Sequence, residues 1–255
     1  MKTKQLQSYS YLLIGLCLFA NSGAYAEEFT VAIEAKYPHP NRAFTQGIII
    51  NDRTIIESSG LYNKSFIQRY QVGDNTAVEL KRLPGHYFAE GLEQLADEIF
   101  VLTWKERAVL VLDSNNFSIQ RKMHYQGEGW GLTTDGQHLI MSNGSNIITF
   151  RNKDNFNIVK QIAVADETGP MNFLNELEWI EGKLFANIWQ QDLLVVINPN
   201  DGNVIQEIDL SPLRAELNNN RVDAINGIAW DEVNKELYLT GKLWPWLFSV
   251  SIIEK

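Results

Sequence analysis

Five short segments of the sequence start in the same way. Each begins with a polar or aromatic residue, the next residue is usually glycine, and an apolar stretch follows. The leading residues are Gln46, Glu90, Trp130, Asn175 and Asn226. A carboxyl group can exchange a proton, a side-chain amide can hydrogen-bond to a carbonyl oxygen, and an indole can hold a cation. Brought together, such groups form a candidate ligand site. A glutamate that opens a strand can equally serve only to bind neighbouring backbone amides.

Other residue types with characteristic chemistry are scattered. The four histidines, His39, His86, His124 and His138, lack the paired spacing of a zinc site. The sequence contains no Gly-x-Ser-x-Gly elbow and no phosphate-binding loop. The single cysteine, Cys17, precedes the predicted mature chain. We therefore expect no metal centre, no cofactor and no thiol chemistry.

The elements that must position the leading residues are β-strands. Each segment is followed by a β-rich hairpin and a further alternating strand, and the segments recur at intervals of roughly 40–50 residues. Helical periodicity is confined to residues 211–217. This repeat predicts an all-β protein, a five-bladed β-propeller with four-stranded blades. An irregular β-sandwich would leave the repeated segment start unexplained.

One strand, residues 29–35, remains outside the five repeats. We expect it to complete the blade that begins at Asn226 and so to close the ring. No linker composition interrupts residues 27–255, which we predict to be a single β-propeller domain.

Propeller topology predicts which residues share a rim of the central channel. The leading residue of each inner strand should lie beside the loop that follows the second strand. These loops are Glu57-Ser58-Ser59, Thr103-Trp104-Lys105, Ser142-Asn143, Asn187-Ile188-Trp189 and Thr240-Gly241-Lys242. We expect the two groups of residues to surround the channel mouth, where polar groups meet several indoles.

Longer motifs at these positions resemble those of the plant and bacterial glutaminyl cyclases. The motifs are FTQG at 44–47, FAEGL at 88–92, LTWKE at 102–106, GEGWGLTTDG at 127–136, LNELEW at 174–179, ANIWQ at 186–190 and TGKLWP at 240–245. The resemblance runs from about Pro38 to the C-terminus. It implies a five-bladed propeller that converts the N-terminal glutamine of peptides or proteins to pyroglutamate and releases ammonia, by acid–base catalysis without a metal.

The resemblance also implies roles for individual residues. It makes Glu90 the acid–base group and places Lys242 and Asn175 among the residues that shape the substrate. We count both as catalytic because the reaction needs a donor to the developing oxyanion, and Lys242 or the side-chain amide of Asn175 or Gln46 can be that donor. The substrate-binding residues that it implies are Phe44, Gln46, Phe88, Trp104, Trp130 and Trp189. Lys242 can also be an ordinary solvated lysine and Asn175 can brace loops. Glu176 and Glu178 flank Asn175, and the sequence leaves open which of them faces the site.

The remaining tryptophans are expected to pack between blades. They are Trp179, Trp230, Trp244 and Trp246.

Two other classes of function fit parts of the pattern. Glu90, Asn175 and Asn226 resemble the ligand set of a calcium-dependent, lactonase-like propeller, which a chelator would inactivate. A non-catalytic propeller that binds peptides would hold its ligand without turnover, and Glu90→Gln would leave that binding intact.

The N-terminus predicts export. Lys2 and Lys4 precede a short apolar run, and Ala24-Tyr25-Ala26 is a cleavage pattern, so we expect residues 1–26 to be a removed signal peptide. A lipid anchor on Cys17 competes with this interpretation, but the preceding residue is a large leucine. We expect a periplasmic or secreted monomer that is free of the membrane after cleavage.

The charge balance narrows the choice of partners. The sequence has 22 basic and 31 acidic residues, a formal net charge of −9, and the leader contains two of the lysines but no acid. An acidic domain of this kind repels a nucleic-acid backbone. It suits a cationic ligand such as the amino terminus of a peptide.

Overall fold

The protein is all-β over the residues that the structure describes. The computed structural model describes residues 27–40, 43–74, 76–217 and 222–255, and the predicted signal peptide lies outside them. The first strand is β1 (Glu27–Pro38), and the only helix in the described ranges is α1 (Ser211–Ala215). No helix within those ranges has the length and hydropathy needed to cross a bilayer.

Three sheets each contain four consecutive strands, paired antiparallel in chain order. Their strands are β2 (Thr45–Asn51), β3 (Thr54–Ser59), β4 (Phe66–Gln71) and β5 (Glu79–Arg82); β6 (Ala89–Leu95), β7 (Glu98–Thr103), β8 (Ala108–Asp113) and β9 (Ile119–His124); and β10 (Leu132–Thr134), β11 (Leu139–Met141), β12 (Ile147–Arg151) and β13 (Ile158–Ala163). Strands β3, β7 and β8 are buried along most of their length, because neighbouring sheets cover both of their faces.

Two further groups of strands complete the molecule. After a short ladder of β14 (Ala165–Asp166) and β15 (Gly169–Pro170) come β16 (Leu174–Ile180), β17 (Lys183–Ile188), β18 (Leu193–Ile197) and β19 (Val204–Asp209), and then β20 (Ile225–Asp231), β21 (Glu236–Gly241) and β22 (Trp246–Glu254). Strand β1 pairs antiparallel with β22 and, at its start, parallel with β19, which joins both groups into one eight-stranded sheet. We call the groups that begin with β2, β6, β10, β16 and β20 the five strand sets.

The first strands of the five sets pack in a closed ring, in which β2, β6, β10, β16 and β20 contact one another in turn and β20 contacts β2. In four sets a glycine follows the leading residue, and it allows the inner strands to approach closely. A Cβ on Gly91 would lie 2.5 Å from the backbone nitrogen of Leu132, and one on Gly131 would lie 2.1 Å from the carbonyl oxygen of Asn175. The repeated glycine is therefore required by the ring.

The fourth set has Glu176 where the others have glycine. The buried carboxylate of Glu176 accepts hydrogen bonds from the backbone N–H groups of Ile48 at 3.4 Å and Ile228 at 3.2 Å. Glu178 accepts one from the N–H of Trp230 at 2.9 Å. Both glutamates thus hold inner strands together, and neither lines the cavity described below.

The apolar core lies between adjacent strand sets. Trp244 is completely buried in the largest cluster, and Trp230 and Trp246 pack against that cluster. Trp179 packs against the neighbouring one. These four tryptophans therefore serve packing, as expected. The helix over 211–215 agrees with the short helical stretch in the sequence, and it buries Leu213 in the same core.

Candidate active site

Two rows of side chains meet at one end of the inner ring. One row consists of the second residues of β2, β6 and β16, which are Gln46, Glu90 and Asn175. The other consists of the residues directly after β7, β17 and β21, which are Trp104, Trp189 and Lys242. Because the first and second strands of a set are antiparallel, the start of one lies beside the end of the other. Residues distant in sequence therefore share one rim.

A β-bulge accompanies the polar second residue of β2, β6 and β16. The pairing of β6 with β7 shifts between Ala89 and Leu92, so Glu90 has no partner in the ladder. Strands β2 and β16 carry the same irregularity at Gln46 and Asn175. A bulge redirects the side chain of the extra residue. The three polar side chains are therefore free to leave the sheet and face the rim.

The two rows line a cavity of about 370 Å³. Its lining residues are Phe44, Gln46, Leu61, Phe88, Glu90, Trp104, Trp130, Asn175, Trp189, Gln190, Asp223 and Lys242. The structure thus brings together all nine site residues proposed from the sequence. Leu61 and Asp223 were not anticipated, because they belong to loops whose composition carries no recognisable pattern. Gln190 ends the quoted motif at 186–190 but was not named as a site residue.

Asn226 and most of the loop residues expected at the channel mouth, Glu57 among them, do not line the cavity. The amide nitrogen of Asn226 donates to the carbonyl oxygen of Thr45 at 3.0 Å and to Oε1 of Gln46 at 3.4 Å, and Asn226 does not line the cavity. Glu57 is fully buried, and its carboxylate pairs with Nε2 of His39 at 2.9 Å. Neither side chain therefore lines the cavity, contrary to expectation.

The displacement of Asn226 also bears on metal binding. The calcium ligand set considered above, which combined Asn226 with Glu90 and Asn175, does not assemble around the cavity. Across the described ranges, no three or more His, Cys, Asp or Glu side chains are arranged to hold a metal ion.

Aromatic rings form two clusters along the cavity wall. In the first, Phe88 packs against Phe44 and Trp104, with ring centroids 6.3 Å and 5.4 Å apart. In the second, Trp130 meets Trp189 edge to face at 5.5 Å. These are favourable geometries for aromatic pairs. The clusters give the cavity a rigid apolar wall.

Three polar groups face the cavity without a protein partner. Glu90, Asn175 and Lys242 are only 5 %, 3 % and 5 % exposed. Among the described residues, none forms a hydrogen bond with the carboxyl of Glu90, the side-chain amide of Asn175 or Nζ of Lys242. Nζ of Lys242 lies 5.0 Å from the ring centroid of Phe44. Since buried polar groups are nearly always paired, three unpaired groups around one cavity indicate a site for the polar atoms of a ligand.

Burial changes the protonation of the two ionisable groups. It raises the pKa of the Glu90 carboxyl well above the ordinary value; the Lys242 ammonium opposes this rise, and the Glu128 and Glu106 carboxylates add to it. Burial also lowers the pKa of Lys242, against the effect of Glu90 and Asp223. A carboxyl with a raised pKa is suited to exchanging protons near neutral pH.

Comparison with known proteins now adds to this geometry. A profile of the family described as glutamine cyclotransferase matches residues 10–252. The chain belongs to the glutamine cyclotransferase family. The resemblance of the sequence motifs to glutaminyl cyclases is thereby confirmed, and all nine proposed site residues lie within the matched range.

Individual relatives agree with the family assignment. A curated glutaminyl-peptide cyclotransferase of Arabidopsis thaliana is 34 % identical over 228 residues, which cover 87 % of this chain and 71 % of the plant protein. The crystal structure of Myxococcus xanthus glutaminyl cyclase matches with a TM-score of 0.83 at 32 % identity, covering 90 % of this chain and 99 % of the other. The WD40 β-propeller domain of Doa1 is alike in fold alone, with a TM-score of 0.50 at 10 % identity over 80 % of this chain and 62 % of that one.

Proposed function

We propose that this glutaminyl-peptide cyclotransferase carries out its reaction in the cavity beside Glu90. The enzyme converts the N-terminal glutamine of peptides or proteins to pyroglutamate and releases ammonia. This location is supported by the unpaired carboxyl of Glu90, amide of Asn175 and ammonium of Lys242, which lie inside an aromatic wall. That set matches the groups that the reaction needs.

The reaction exchanges one C–N bond for another within a single residue. The neutral α-amine attacks the carbon of its own γ-carboxamide, and negative charge develops on the carbonyl oxygen. Collapse of the tetrahedral intermediate expels the amide nitrogen as ammonia. The attacking nitrogen loses one proton and the departing nitrogen gains one, so a single carboxyl group within reach of both can transfer it.

We assign that transfer to Glu90, which accepts the proton as a carboxylate and returns it as a carboxylic acid. Lys242 and the amide of Asn175 donate to the oxygen that becomes negative. Oxyanion donors of this kind typically contribute about 100- to 1000-fold in kcat. Gln46 lies on the same wall, and the hydrogen bond from Asn226 to its Oε1 leaves its amide N–H groups free for the substrate.

The aromatic residues hold the glutamine in a curled conformation. Phe44, Phe88, Trp104, Trp130 and Trp189 present a shaped apolar surface to its two methylene groups. Because the reaction is intramolecular, the entropy that remains to be lost is mainly that of side-chain rotation. An indole face can also accommodate the ammonium form of the substrate before it loses its proton.

We further propose that the five strand sets are the blades of one five-bladed propeller domain, residues 27–255, with β1 as the closing strand. The pairing of β1 with β22, the closed contact ring of first strands and the likeness to the Doa1 propeller support this. Mutations that prevent the pairing of β1 with β22 should abolish stable folding, and solubility and circular dichroism would test this.

The mature enzyme is proposed to be a periplasmic or secreted monomer. The predicted signal peptide supports this localisation. N-terminal sequencing of the exported protein should find Glu27 as its first residue, and light scattering should give the mass of one chain. An intact residue 1 would contradict the proposed cleavage.

The activity itself is tested with purified residues 27–255. A peptide that begins with Gln-Ala is incubated with the enzyme and followed by mass spectrometry, with an Asn-Ala peptide as the control and with and without chelator. We expect loss of one ammonia from the glutamine peptide alone, whether or not chelator is present. A folded protein that leaves the glutamine peptide unchanged would contradict the proposal.

A further inference from the structure

Glu128 lies behind the cavity wall and connects its two aromatic clusters. One oxygen of its carboxylate, Oε2, accepts the indole N–H of Trp104 at 2.7 Å and that of Trp130 at 3.1 Å. Trp104 belongs to the cluster of Phe88, and Trp130 packs against Trp189. A single oxygen atom therefore fixes the position of one cluster relative to the other.

The surrounding contacts make this connection specific. The backbone N–H of Trp104 donates to the carbonyl oxygen of Phe88 at 3.0 Å, and the N–H of Gly129 donates to the carbonyl oxygen of Trp104 at 3.3 Å. Nζ of Lys105 lies 3.9 Å from the Trp104 ring centroid. The loop that carries Glu128 is thus bound to the Trp104 backbone as well as to its side chain. Because these backbone contacts already hold the loop in place, the Glu128 carboxylate controls only the rotation of the indole rings.

Glu128 also acts electrostatically on Glu90. Its negative charge adds to the effect of burial in raising the pKa of Glu90, as does that of Glu106, whereas Lys242 opposes it. The charge of Glu90 also acts on two phenols, those of Tyr62 and Tyr125, and burial with the nearby carboxylates raises the pKa of Tyr62 to about 12. Among these groups only Glu128 bonds to two side chains that line the cavity.

We propose that Glu128 is a positioning residue for the cyclisation. It sets the rotation of the Trp104 and Trp130 indoles, between which the glutamine side chain curls, and it places a negative charge near the acid–base carboxyl. The kinetic part of this proposal rests on the proposed function, whereas the hydrogen bonds to the two indoles do not.

The hydrogen bonds are tested by NMR of enzyme with ¹⁵N-labelled tryptophan. W104F and W130F assign the two indole N–H signals. In E128A both signals should move upfield, because each N–H loses its charged acceptor, while the other indole signals stay in place. In E128Q an amide oxygen remains, so both should move less. Unchanged signals of Trp104 and Trp130 in E128A would overturn the positioning role, regardless of any activity.

The kinetic consequence is tested with the same variants and a peptide that begins with glutamine. KM should rise roughly tenfold or more in E128A and about threefold or less in E128Q, because only alanine frees both rings. Both variants remove the negative charge that helps to raise the pKa of Glu90. In the plot of kcat/KM against pH, the limb that reports the ionisation of Glu90 should therefore move to lower pH by roughly half a unit to one unit. That limb is identified by its insensitivity to the pKa of the substrate amine.

A matched control removes a charge elsewhere. Glu167 is exposed in the turn between β14 and β15, so E167Q changes the net charge equally without touching the cavity. Its KM and pH profile should match those of the wild type. An E128Q profile that coincides with that of E167Q would overturn the electrostatic role. If the wild-type enzyme releases no ammonia, the proposed function is contradicted. The NMR signals of the two indoles would still show whether Glu128 positions Trp104 and Trp130.

Discussion

The residues of the cavity derive their chemistry from being buried without partners. A glutamate on the surface would be ionised and surrounded by water, whereas Glu90 is held next to rings and beside the Lys242 ammonium. In the proposed mechanism these polar groups stay without a hydrogen-bond partner from the protein until substrate enters. Such unpaired groups cost stability in the free enzyme and supply binding energy when the reacting atoms arrive.

This arrangement predicts how the pH profile responds to Lys242. In the proposed mechanism Glu90 accepts a proton only as a carboxylate, so kcat/KM should fall as the pH drops through the raised pKa of Glu90. The Lys242 ammonium holds that pKa down against the effect of burial. Lys242→Met should therefore move the acid limb to higher pH, the opposite direction from E128Q, in addition to lowering kcat. A limb that moves to lower pH in Lys242→Met would contradict the placement of the two charges.

The sequence indicates the residues that line the cavity better than it indicates the contacts that support them. Gln46, Glu90 and Asn175 were found because they recur at one position of a repeat. Asn226 occupies the same repeat position but bonds to its neighbours, which depends on side-chain rotation that a repeat cannot specify. Glu128 lies inside a quoted motif, and only the structure shows its two indole contacts.

At the scale of the strands, the site depends on bulges in the inner ring. The alternating strands, their turns and the short helix followed from residue pattern and spacing, and the structure agrees with them. The bulges did not follow, because a bulge is a property of pairing between two strands and not of one strand's composition. The role of Glu176 was not predictable from the sequence for the same reason. It binds backbone N–H groups of two other strand sets, and the composition of its own strand does not reveal these contacts.

The ring predicts a strong contrast between two glycines. Gly91→Ala would place a methyl group 2.5 Å from the backbone nitrogen of Leu132, so the inner strands must separate. We expect a loss of more than about 3 kcal/mol in the free energy of unfolding, or no stable fold. Gly136→Ala, in an exposed turn with φ +86° and open space, should cost only about 1 kcal/mol. Urea denaturation measures both, and equal losses would contradict the close packing of the ring.

At the scale of the whole molecule, buried ionisable groups hold distant parts of the chain together. His39, just after β1, is bonded through Nδ1 to the carbonyl oxygen of Trp244 at 2.9 Å and through Nε2 to Glu57 of β3. Burial disfavours the charge on His39, but the Glu57 carboxylate outweighs it and raises the pKa of His39. The pair thus links the strand that joins the two ends of the chain to the first strand set.

A second buried group predicts how stability depends on pH. Burial raises the pKa of Glu93 to about 8, and the nearby Glu178 carboxyl is also shifted well upward by burial and by Glu93. In the unfolded chain both ionise near pH 4.5. Between these values the folded state binds more protons, so the free energy of unfolding should fall as the pH rises, by at most about 1.4 kcal/mol per pH unit for each retained proton.

Chemical denaturation at a series of pH values between 5 and about 9 would measure this slope. Glu93→Gln should flatten it, because the proton that the folded state retains on Glu93 is then absent. Glu167→Gln, which removes an exposed carboxylate, should leave the slope as it is. Stability that rises across this range in the wild type would contradict the assignment of buried, protonated carboxyls.

The most direct test of the account compares the wild-type enzyme with Glu90→Gln in ammonia release from a peptide that begins with glutamine. Glutamine at position 90 keeps the size and polarity of the side chain but cannot transfer a proton. We predict a fall in kcat of roughly 100- to 10,000-fold with peptide binding and the unfolding midpoint retained. A Glu90→Gln enzyme that releases ammonia at close to the wild-type rate would show that the acid–base group lies elsewhere.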